Sequence, residues 1–407
     1  MADSDRDSAG STRQPAATVK KLYGFLSRAE VLAAVTIALL CAVFLLETRP
    51  LRNLFYVTAL PVFLIHLRGF DWSLLRRSHL IQLALAYLGY FLLSALWSDG
   101  ATWGGFADLL RVTVLLLLFL LMTLRLATIY ADFEARLFLW FAAVAGLTLP
   151  VVFAVYLSVA HSTIYRLGGF GLAAHPVIGA TLYGVALLAA AFVLLRGAAD
   201  WPRRLAWLAV IALCALFMLL SGSRGPLLAV AAALALGIAV ADRRIAIALG
   251  AFFAAVLAIG LFADVETFRQ LLVRAPSGHF ALWQQALDAI AERPWFGHGS
   301  LVEIDFQGKR ATGRSPHNLL LANQLYGGLP ASLLLAALLL LAFREAVIAL
   351  SAGRPIYLVL LTFGLVAALF DTRSLVQNLG REWITLWLPV MLLAAGEARR
   401  QNISIRS

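Results

Sequence analysis

The sequence predicts an all-α protein that crosses a membrane many times. Of its 407 residues, 62% are hydrophobic and only 14% are charged, and the mean hydropathy is +0.86. A soluble domain of this composition would lack polar surface, whereas repeated apolar runs of about 20 residues match a bilayer core about 30 Å thick. The strict two-residue alternation of a membrane β-barrel is absent from the sequence. We therefore expect a polytopic helical membrane domain.

Apolar runs separated by charged or turn-forming residues divide the chain into twelve predicted spans. They cover Glu30–Leu46, Leu54–Leu67, Leu80–Trp97, Leu109–Leu124, Leu137–Val159, Pro176–Leu195, Leu205–Leu220, Leu227–Val240, Ile245–Phe262, His317–Phe343, Ile356–Phe370 and Trp383–Ala395. Basic residues recur at alternate junctions, beginning with Lys20, Lys21 and Arg28 before the first span. Because Lys and Arg accumulate in cytoplasmic loops, both termini are predicted to lie inside the cell.

The predicted organisation is one transmembrane domain, residues 30–396, between two cytoplasmic ends. Residues 1–29 are predicted to be disordered, since their first part is rich in Ser, Asp, Arg and Ala, and residues 397–407 form a short tail. The longest hydrophilic region, residues 263–316, forms an external loop subdomain between the ninth and tenth spans. Within it, Gln284–Glu292 has the pattern of an amphipathic helix lying along the membrane surface.

Composition and spacing give no sign of a cofactor or of nucleic acid. Cys41 and Cys214 lie inside apolar runs and predict neither a disulfide nor a metal site. The sequence holds no clustered set of metal ligands, no nucleotide-binding glycine loop and no Asp-x-Asp pair beside the candidate site, so we expect no metal or ATP dependence. The formal charge of +11 is explained by the basic cytoplasmic loops of a membrane protein, so we expect no nucleic-acid partner.

Basic residues on the predicted external side need another explanation, because they oppose the charge bias that orients the chain. They are Arg166, Arg224, Arg269, Arg274, Arg293, Lys309, Arg310, Arg314, Arg373 and Arg381. A guanidinium offers forked donors that suit phosphate oxygens, so this surface predicts a lipid-linked phosphate or pyrophosphate. Arg224 is the strongest candidate, because it lies in a tight turn between two apolar helices, where a charge is costly without a partner. Arg166 precedes Gly168-Gly169, which let the backbone approach a ligand closely.

His317 is the candidate catalytic residue. The stretch Ser315-Pro316-His317 predicts a helix start, with Ser315 as the N-cap and His317 in the first turn. Gln324 and Gly328 would then return to nearly the same azimuth as the histidine and form a polar stripe. We expect the helix dipole and the arginines to favour a neutral imidazole, the state that a general base needs. A histidine at the membrane interface that only binds a loop carbonyl is the simpler alternative.

Several of these stretches together resemble the O-antigen ligase and polymerase superfamily. The similar segments are Ser221-Gly222-Ser223-Arg224-Gly225, the Trp283 to Gly299 segment ending in Gly-His-Gly, His317-Asn318 followed by Gly327-Gly328-Leu329-Pro330, and the closing Glu382-Trp383-Ile384-Thr385-Leu386-Trp387-Leu388-Pro389. The resemblance extends from about Arg166 to Pro389.

The resemblance implies a GT-C-like, inverting glycosyltransferase with twelve helices in the bacterial inner membrane. It would move a glycan from undecaprenyl pyrophosphate to a hydroxyl of the lipid A core at the periplasmic face. By the same resemblance, Arg224 would hold the pyrophosphate and His317 would activate or orient the acceptor hydroxyl. Arg166, Trp283, Asn318 and Gln324 are expected to contact substrate.

One position departs from the family pattern. Relatives carry an arginine a few residues before the loop tryptophan, where this chain has Ser277-Gly278-His279. We expect Arg274 to supply the second phosphate contact and His279 to donate one hydrogen bond. An O-antigen or exopolysaccharide polymerase, a protein O-oligosaccharyltransferase and a lipid-glycan flippase remain alternatives. The Glu-Trp-Ile-Thr-Leu-Trp-Leu-Pro ending favours the ligase, and span centres almost free of charge disfavour transport.

Overall fold

A computed structural model of the chain describes residues 13–159, 166–197, 200–240, 279–307 and 315–406, together with positions 247, 250, 251, 254, 255 and 258. All the secondary-structure elements assigned in these residues are helices. The main helices are α1 (Arg13–Leu26), α2 (Ala29–Cys41), α3 (Thr48–Leu67), α4 (His79–Trp97), α5 (Trp103–Ile129), α6 (Phe133–Val159), α7 (Pro176–Leu195), α8 (Trp201–Leu220), α9 (Arg224–Val240), α10 (His279–Glu292), α11 (Leu319–Ser351), α12 (Ile356–Asp371) and α13 (Leu388–Arg406). A π-helical turn, Trp383–Trp387, leads into α13.

The chain is a multi-pass helical membrane protein, as its composition predicts. Among the described residues, seven helices are long and apolar enough to cross a bilayer: α3 to α8 and α11. An eighth candidate is the pair Lys20–Leu26 and Ala29–Phe44, whose halves are bent by 64°. The helices α9 and α12 are apolar but shorter. The predicted ninth span, Ile245–Phe262, lies largely outside the described residues, and the number of twelve remains a prediction.

The N-terminal segment differs from the predicted disorder of residues 1–29, because α1 begins at Arg13. Leu22, Tyr23 and Leu26 recur at helical spacing and give this polar segment one apolar face. The helix also has tertiary partners, since His66 Nε2 lies 3.1 Å from the carbonyl oxygen of Leu26. Local composition therefore did not indicate this helix, because contacts with the bundle help to stabilise it.

The helix α7 runs antiparallel to its neighbours α6 and α8, and these three helices set the position of the candidate site. Small residues let α7 pack closely at the centre of the bundle: a Cβ at Gly184 would lie 2.5 Å from Phe363, and one at Gly179 would lie 3.0 Å from Phe217. Because the directions alternate, the end of α6, the start of α7, the end of α8 and the start of α9 meet at one end of the bundle.

The longest helix, α11, is broken by a kink at Gly328, where φ is +65° and ψ is −160°. Pro330 has no N–H to bond the carbonyl of Tyr326, so that carbonyl needs another donor. The loop that follows α10 supplies the missing partners. His298 and Gly299 donate backbone N–H groups to Leu325 and Tyr326, both over 2.8 Å, and Leu329 N–H donates to the Trp295 carbonyl over 3.0 Å.

The kink also contradicts the predicted polar stripe of His317, Gln324 and Gly328. The helix does not run straight from Gln324 past Gly328, so positions on either side of the kink no longer share the azimuth of an ideal helix. His317 lies outside α11 altogether, because the helix begins at Leu319.

Gly328→Ala tests the kink. A Cβ here would lie 2.4 Å from the Trp295 oxygen and 2.5 Å from the Gly297 nitrogen, and the backbone conformation itself is strained for any residue but glycine. We expect a loss of stability of about 1–3 kcal/mol from the backbone term alone, and more from the collision. Thermal unfolding in detergent measures it. In Gly89→Ala, where no atom outside the adjoining helix backbone lies within 4 Å of the new methyl, stability should be kept or should rise by up to about 1 kcal/mol.

Candidate functional site

Four of the residues proposed from sequence meet around one cavity at the end of the bundle where α8 ends and α9 begins. The cavity has a volume of about 270 Å³, and its lining includes Arg166, Arg224, His279 and Asp371. His317 adjoins it through its bond to Asp371. The structure thus brings Arg166, Arg224, His279 and His317 close together, and their roles stay predictions.

Arg166 is held by the end of α8. Its Nε donates to the carbonyl of Ser221 over 2.8 Å, and its Nη2 donates to the hydroxyl oxygen of Ser223 over 2.9 Å. A cation is favoured there, because the last carbonyls of a helix carry a partial negative charge. The Ser-Gly-Ser turn therefore fixes one arginine and presents the next arginine, Arg224, at the start of α9.

The glycine after Arg224 has a packing role. A Cβ at Gly225 would lie 2.8 Å from the Cβ of Phe370, so α9 and α12 approach each other closely at this point. Phe370 is followed by Asp371, the last residue of α12. The close approach therefore brings Arg224 and Asp371 to the same cavity.

His317 does not lie in the first turn of a helix, so that prediction is wrong. Its φ is +52°, a left-handed conformation that cannot continue a helix, and α11 begins two residues later. Asn318, not Ser315, is the N-cap: its Oδ1 accepts from the N–H groups of Leu320 over 3.0 Å and Leu321 over 3.1 Å. The Ser315 hydroxyl instead accepts from the His317 N–H over 3.1 Å and closes a turn before the helix.

The sequence did not predict the partner of His317. Its Nδ1 lies 2.7 Å from Oδ1 of Asp371, and the other oxygen of that carboxylate accepts from Nη1 of Arg381 over 2.6 Å. A carboxylate can only accept, so Nδ1 carries the proton and Nε2 is the basic nitrogen of the neutral ring. The sequence did contain one sign of this partner: Asp371 directly follows the apolar span Ile356–Phe370, on the side where the arginines were predicted to lie.

The Glu-Trp-Ile-Thr-Leu-Trp stretch supports this carboxylate from the other side. Glu382 Oε1 accepts from Nε of Arg381 over 2.8 Å. The indole N–H groups of Trp383 and Trp387 donate to the carbonyls of Gln377 and Leu375, both over 2.9 Å, and so hold the segment between α12 and α13. The motif thus orients Arg381 toward Asp371.

His279 and Trp283, at the start of α10, complete the surroundings of His317. The rings of His279 and His317 stack with centroids 5.8 Å apart and planes 12° from parallel. The indole N–H of Trp283 donates to the Pro316 carbonyl over 3.0 Å and fixes the backbone just before His317. Burial lowers the pKa of His279, and the nearby His317 lowers it further, while Asp371 acts in the opposite direction.

His175 is a third histidine near the site, and the sequence did not single it out. It precedes the first residue of α7 and follows the glycine-rich turn after Arg166. Burial lowers its pKa, and of the surrounding charges only Asp371 opposes the effect of Arg166, Arg381 and His317. These influences mark His175 as a neighbour of the same charged cluster.

Two of the predicted substrate-binding residues occupy other positions. Gln324 donates to the Pro294 carbonyl over 2.8 Å and accepts from the Ser332 hydroxyl over 2.6 Å, so it joins the loop after α10 to α11. Asn318 has the capping role already described. Arg274 lies outside the described residues, as do residues 263–278 and 308–314 of the predicted loop. The predicted loop helix Gln284–Glu292 is confirmed and begins earlier, at His279.

Comparison with known proteins agrees with the motifs around this cavity. Residues 207–336 match the family model described as O-Antigen ligase. Over these residues the chain is similar to the O-antigen ligases. It is also 29% identical over 328 residues to an O-antigen ligase of Pseudomonas aeruginosa, an alignment that covers 76% of each chain. The resemblance inferred from motifs is thereby confirmed, and it supports a ligase-type glycosyltransferase.

Asn318→Ala tests whether this residue caps α11. The substitution removes the oxygen that satisfies two backbone N–H groups, and we expect a loss of stability of about 0.5–2 kcal/mol. Thermal unfolding measures the loss. Asn318→Asp retains a capping oxygen and should restore most of the stability. A capping role would be contradicted if the aspartate variant unfolded as early as the alanine variant.

Proposed function

We propose that the protein is an O-antigen ligase of the bacterial inner membrane with its active site at the periplasmic face. It would transfer a glycan from undecaprenyl pyrophosphate to a hydroxyl of the lipid A core, with inversion and without metal or ATP. One observation carries the proposal: His317, which Asp371 orients, lies beside the cavity that Arg166 and Arg224 line. The ligase domain match and the similarity to the Pseudomonas enzyme support it.

In the proposed reaction His317 is the base. Its Nε2 takes the proton of the acceptor hydroxyl as that oxygen bonds to the anomeric carbon of the donor. The bond from this carbon to the pyrophosphate oxygen breaks on the opposite face, which inverts the configuration, and the electron pair leaves with the pyrophosphate. Asp371 keeps Nδ1 protonated and stabilises the imidazolium that forms. The proton then passes from Nε2 to solvent or to the departing phosphate.

Arg224 and Arg166 would act on the leaving group. Both arginines line the cavity, where their forked donors would meet the oxygens on which negative charge develops. The Ser221 carbonyl and Ser223 hydroxyl hold Arg166 before the donor arrives, so little conformational entropy is lost on binding. The proposed catalysis is thus a combination of positioning, proton transfer and charge stabilisation.

A reconstituted assay with purified components tests the proposal. Protein supplied with undecaprenyl-linked glycan and lipid A-core should form a glycosylated lipid A-core, and protein supplied with the donor alone should not lengthen it. Chain lengthening with donor alone would instead identify a polymerase. Transfer to a protein acceptor but not to lipid A-core would identify a protein O-oligosaccharyltransferase.

In the same assay, His317→Ala should lower kcat by about 10²–10⁴, the usual contribution of a general base. Asp371→Asn should lower kcat in the same direction while the donor KM changes little, because the amide can donate to Nδ1 and so favour the wrong tautomer. His79→Ala is the matched control, since this exposed histidine lies at the other end of the bundle. A folded His317→Ala protein that transfers glycan at the wild-type rate would exclude the proposed base.

A second prediction concerns His279 and pH. Because its pKa is lowered, its ring is neutral near pH 7 and would offer the pyrophosphate a hydrogen bond without a charge. The donor KM should therefore change less than about twofold between about pH 7 and about pH 8.5. His279→Phe keeps a stacked ring but loses the donor, and it should raise the donor KM about tenfold.

The matched comparison is His279→Gln, which retains an N–H donor and should stay close to wild type. A wild-type KM that rises about tenfold over that pH interval, and does so no longer in His279→Phe, would show that His279 binds as a cation.

A further inference from the structure

A second basic cavity lies at the end of the bundle away from His317. It has a volume of about 370 Å³ and is formed by the first turns of α6 and α8 and the end of α7. Arg136, Arg196 and Arg203 line it, with Asp132 and Trp207. The helix α7 is 20 residues long, or about 30 Å, so this cavity is about one hydrocarbon thickness from the candidate active site.

The charges around this cavity are unbalanced in favour of an anion. Among the described residues that line it, Asp132 is the one acidic side chain. Arg203 pairs with Asp200 at 3.3 Å, but both side chains are at least half exposed, so the pair is weak. The guanidinium carbon of Arg196 lies 4.5 Å from the centroid of the Phe192 ring. Contact with a ring restrains an arginine without neutralising it.

An apolar groove adjoins this cavity, and Arg136 lines both. The groove lies between α2 and α6, has a volume of about 410 Å³, and has Glu30 and Arg136 at the end where both helices begin. Exposed alanines at positions 34 and 38 lie one turn apart on α2 and leave room between the helices. From Ala33 to Cys41 the groove follows α2 for about 12 Å.

An exposed tryptophan marks the depth of the cavity. Trp201 is the first residue of α8 and 67% of its surface is exposed. Tryptophan is enriched where the headgroups meet the hydrocarbon of a bilayer. The arginines therefore lie at headgroup depth, and the groove leads from them toward the apolar interior.

We propose that this cavity binds the phosphate of an anionic glycerophospholipid, with one acyl chain in the groove between α2 and α6. Basic pockets between transmembrane helices suit anionic headgroups, and the uninterrupted path from arginines to apolar groove fits one amphiphile. The general accumulation of cytoplasmic arginines does not explain why three of them converge on a cavity or why one also borders the groove. The site is independent of the proposed glycan transfer.

Native mass spectrometry of delipidated full-length protein tests this site. Long-chain phosphatidylglycerol should bind at least about tenfold more tightly than phosphatidylcholine. Arg136→Gln, Arg196→Gln and Arg203→Gln should each weaken phosphatidylglycerol binding about fivefold. Arg76→Gln is the matched control, an exposed arginine of the short helix Ser73–Arg76 outside the cavity, and should leave the affinity within about twofold. Equal binding by all four variants and wild type, or an equal loss in the control, would overturn the proposal.

Two further experiments distinguish binding of a lipid from binding of free phosphate. Ala38→Trp fills the groove and should weaken long-chain phosphatidylglycerol while leaving the affinity for a short-chain form unchanged. Inorganic phosphate should compete only at concentrations far above those of the lipid. If inorganic phosphate displaced the lipid at equal concentration, or if Ala38→Trp had no effect, the groove would not hold an acyl chain. Melting temperatures establish that each variant is folded.

Discussion

The ion pair between Asp371 and Arg381 is the interaction on which the candidate site depends. Asp371 ends α12, Arg381 precedes the π-helical turn before α13, and His317 precedes α11. One carboxylate therefore joins the end of α12 to the segment before α13 and to the turn before α11, which is 54 residues away in sequence. Its largely buried position makes each partner important, because removing one member of a buried pair typically costs about 3–5 kcal/mol. The same contacts fix which nitrogen of His317 is basic, so stability and proposed chemistry share one set of bonds.

A second constraint is the need to satisfy backbone groups at the kink of α11. Glycine and proline open the helix there, and the loop after α10 fills the gap with its own N–H and carbonyl groups. Side chains reinforce this attachment: the indole N–H of Trp97 donates to the Phe296 carbonyl over 3.1 Å, and Arg293 pairs with Asp99 at 2.7 Å. The loop helix that carries His279 and Trp283 is thereby fixed to the bundle. The glycines of the Gly-His-Gly and Gly-Gly stretches allow the close backbone contacts of this joint.

Arginines at the two ends of the same helices have different surroundings. At the end that holds the candidate site, helix carbonyls, serine hydroxyls and a buried carboxylate hold them in set positions. At the other end, aromatic rings and an exposed aspartate hold them loosely, and an apolar groove adjoins them. Rigid placement suits a site where charge develops during a reaction, whereas a charged cavity beside a groove suits a lipid.

The sequence by itself determined the helical membrane class, the loop helix and the ligase resemblance, and it singled out Arg166, Arg224, His279 and His317 as candidate site residues. Each of these depends on composition, helical period or a short motif, which are local properties. Only the tertiary structure decided the partner of His317, since Asp371 is 54 residues away and no local pattern links the two.

The tertiary structure also decided which of two residues is the N-cap of α11. Ser315 and Asn318 both suit an N-cap, and the left-handed backbone at His317, held by the bonds of its neighbours, gave that role to Asn318. Gln324 was predicted to belong to the site because an ideal helix would place it on the same face as His317. The kink at Gly328 and the bond from Gln324 to the Pro294 carbonyl give it a different position. Contacts between distant segments, which the local pattern does not encode, selected one conformation among those that the sequence permitted.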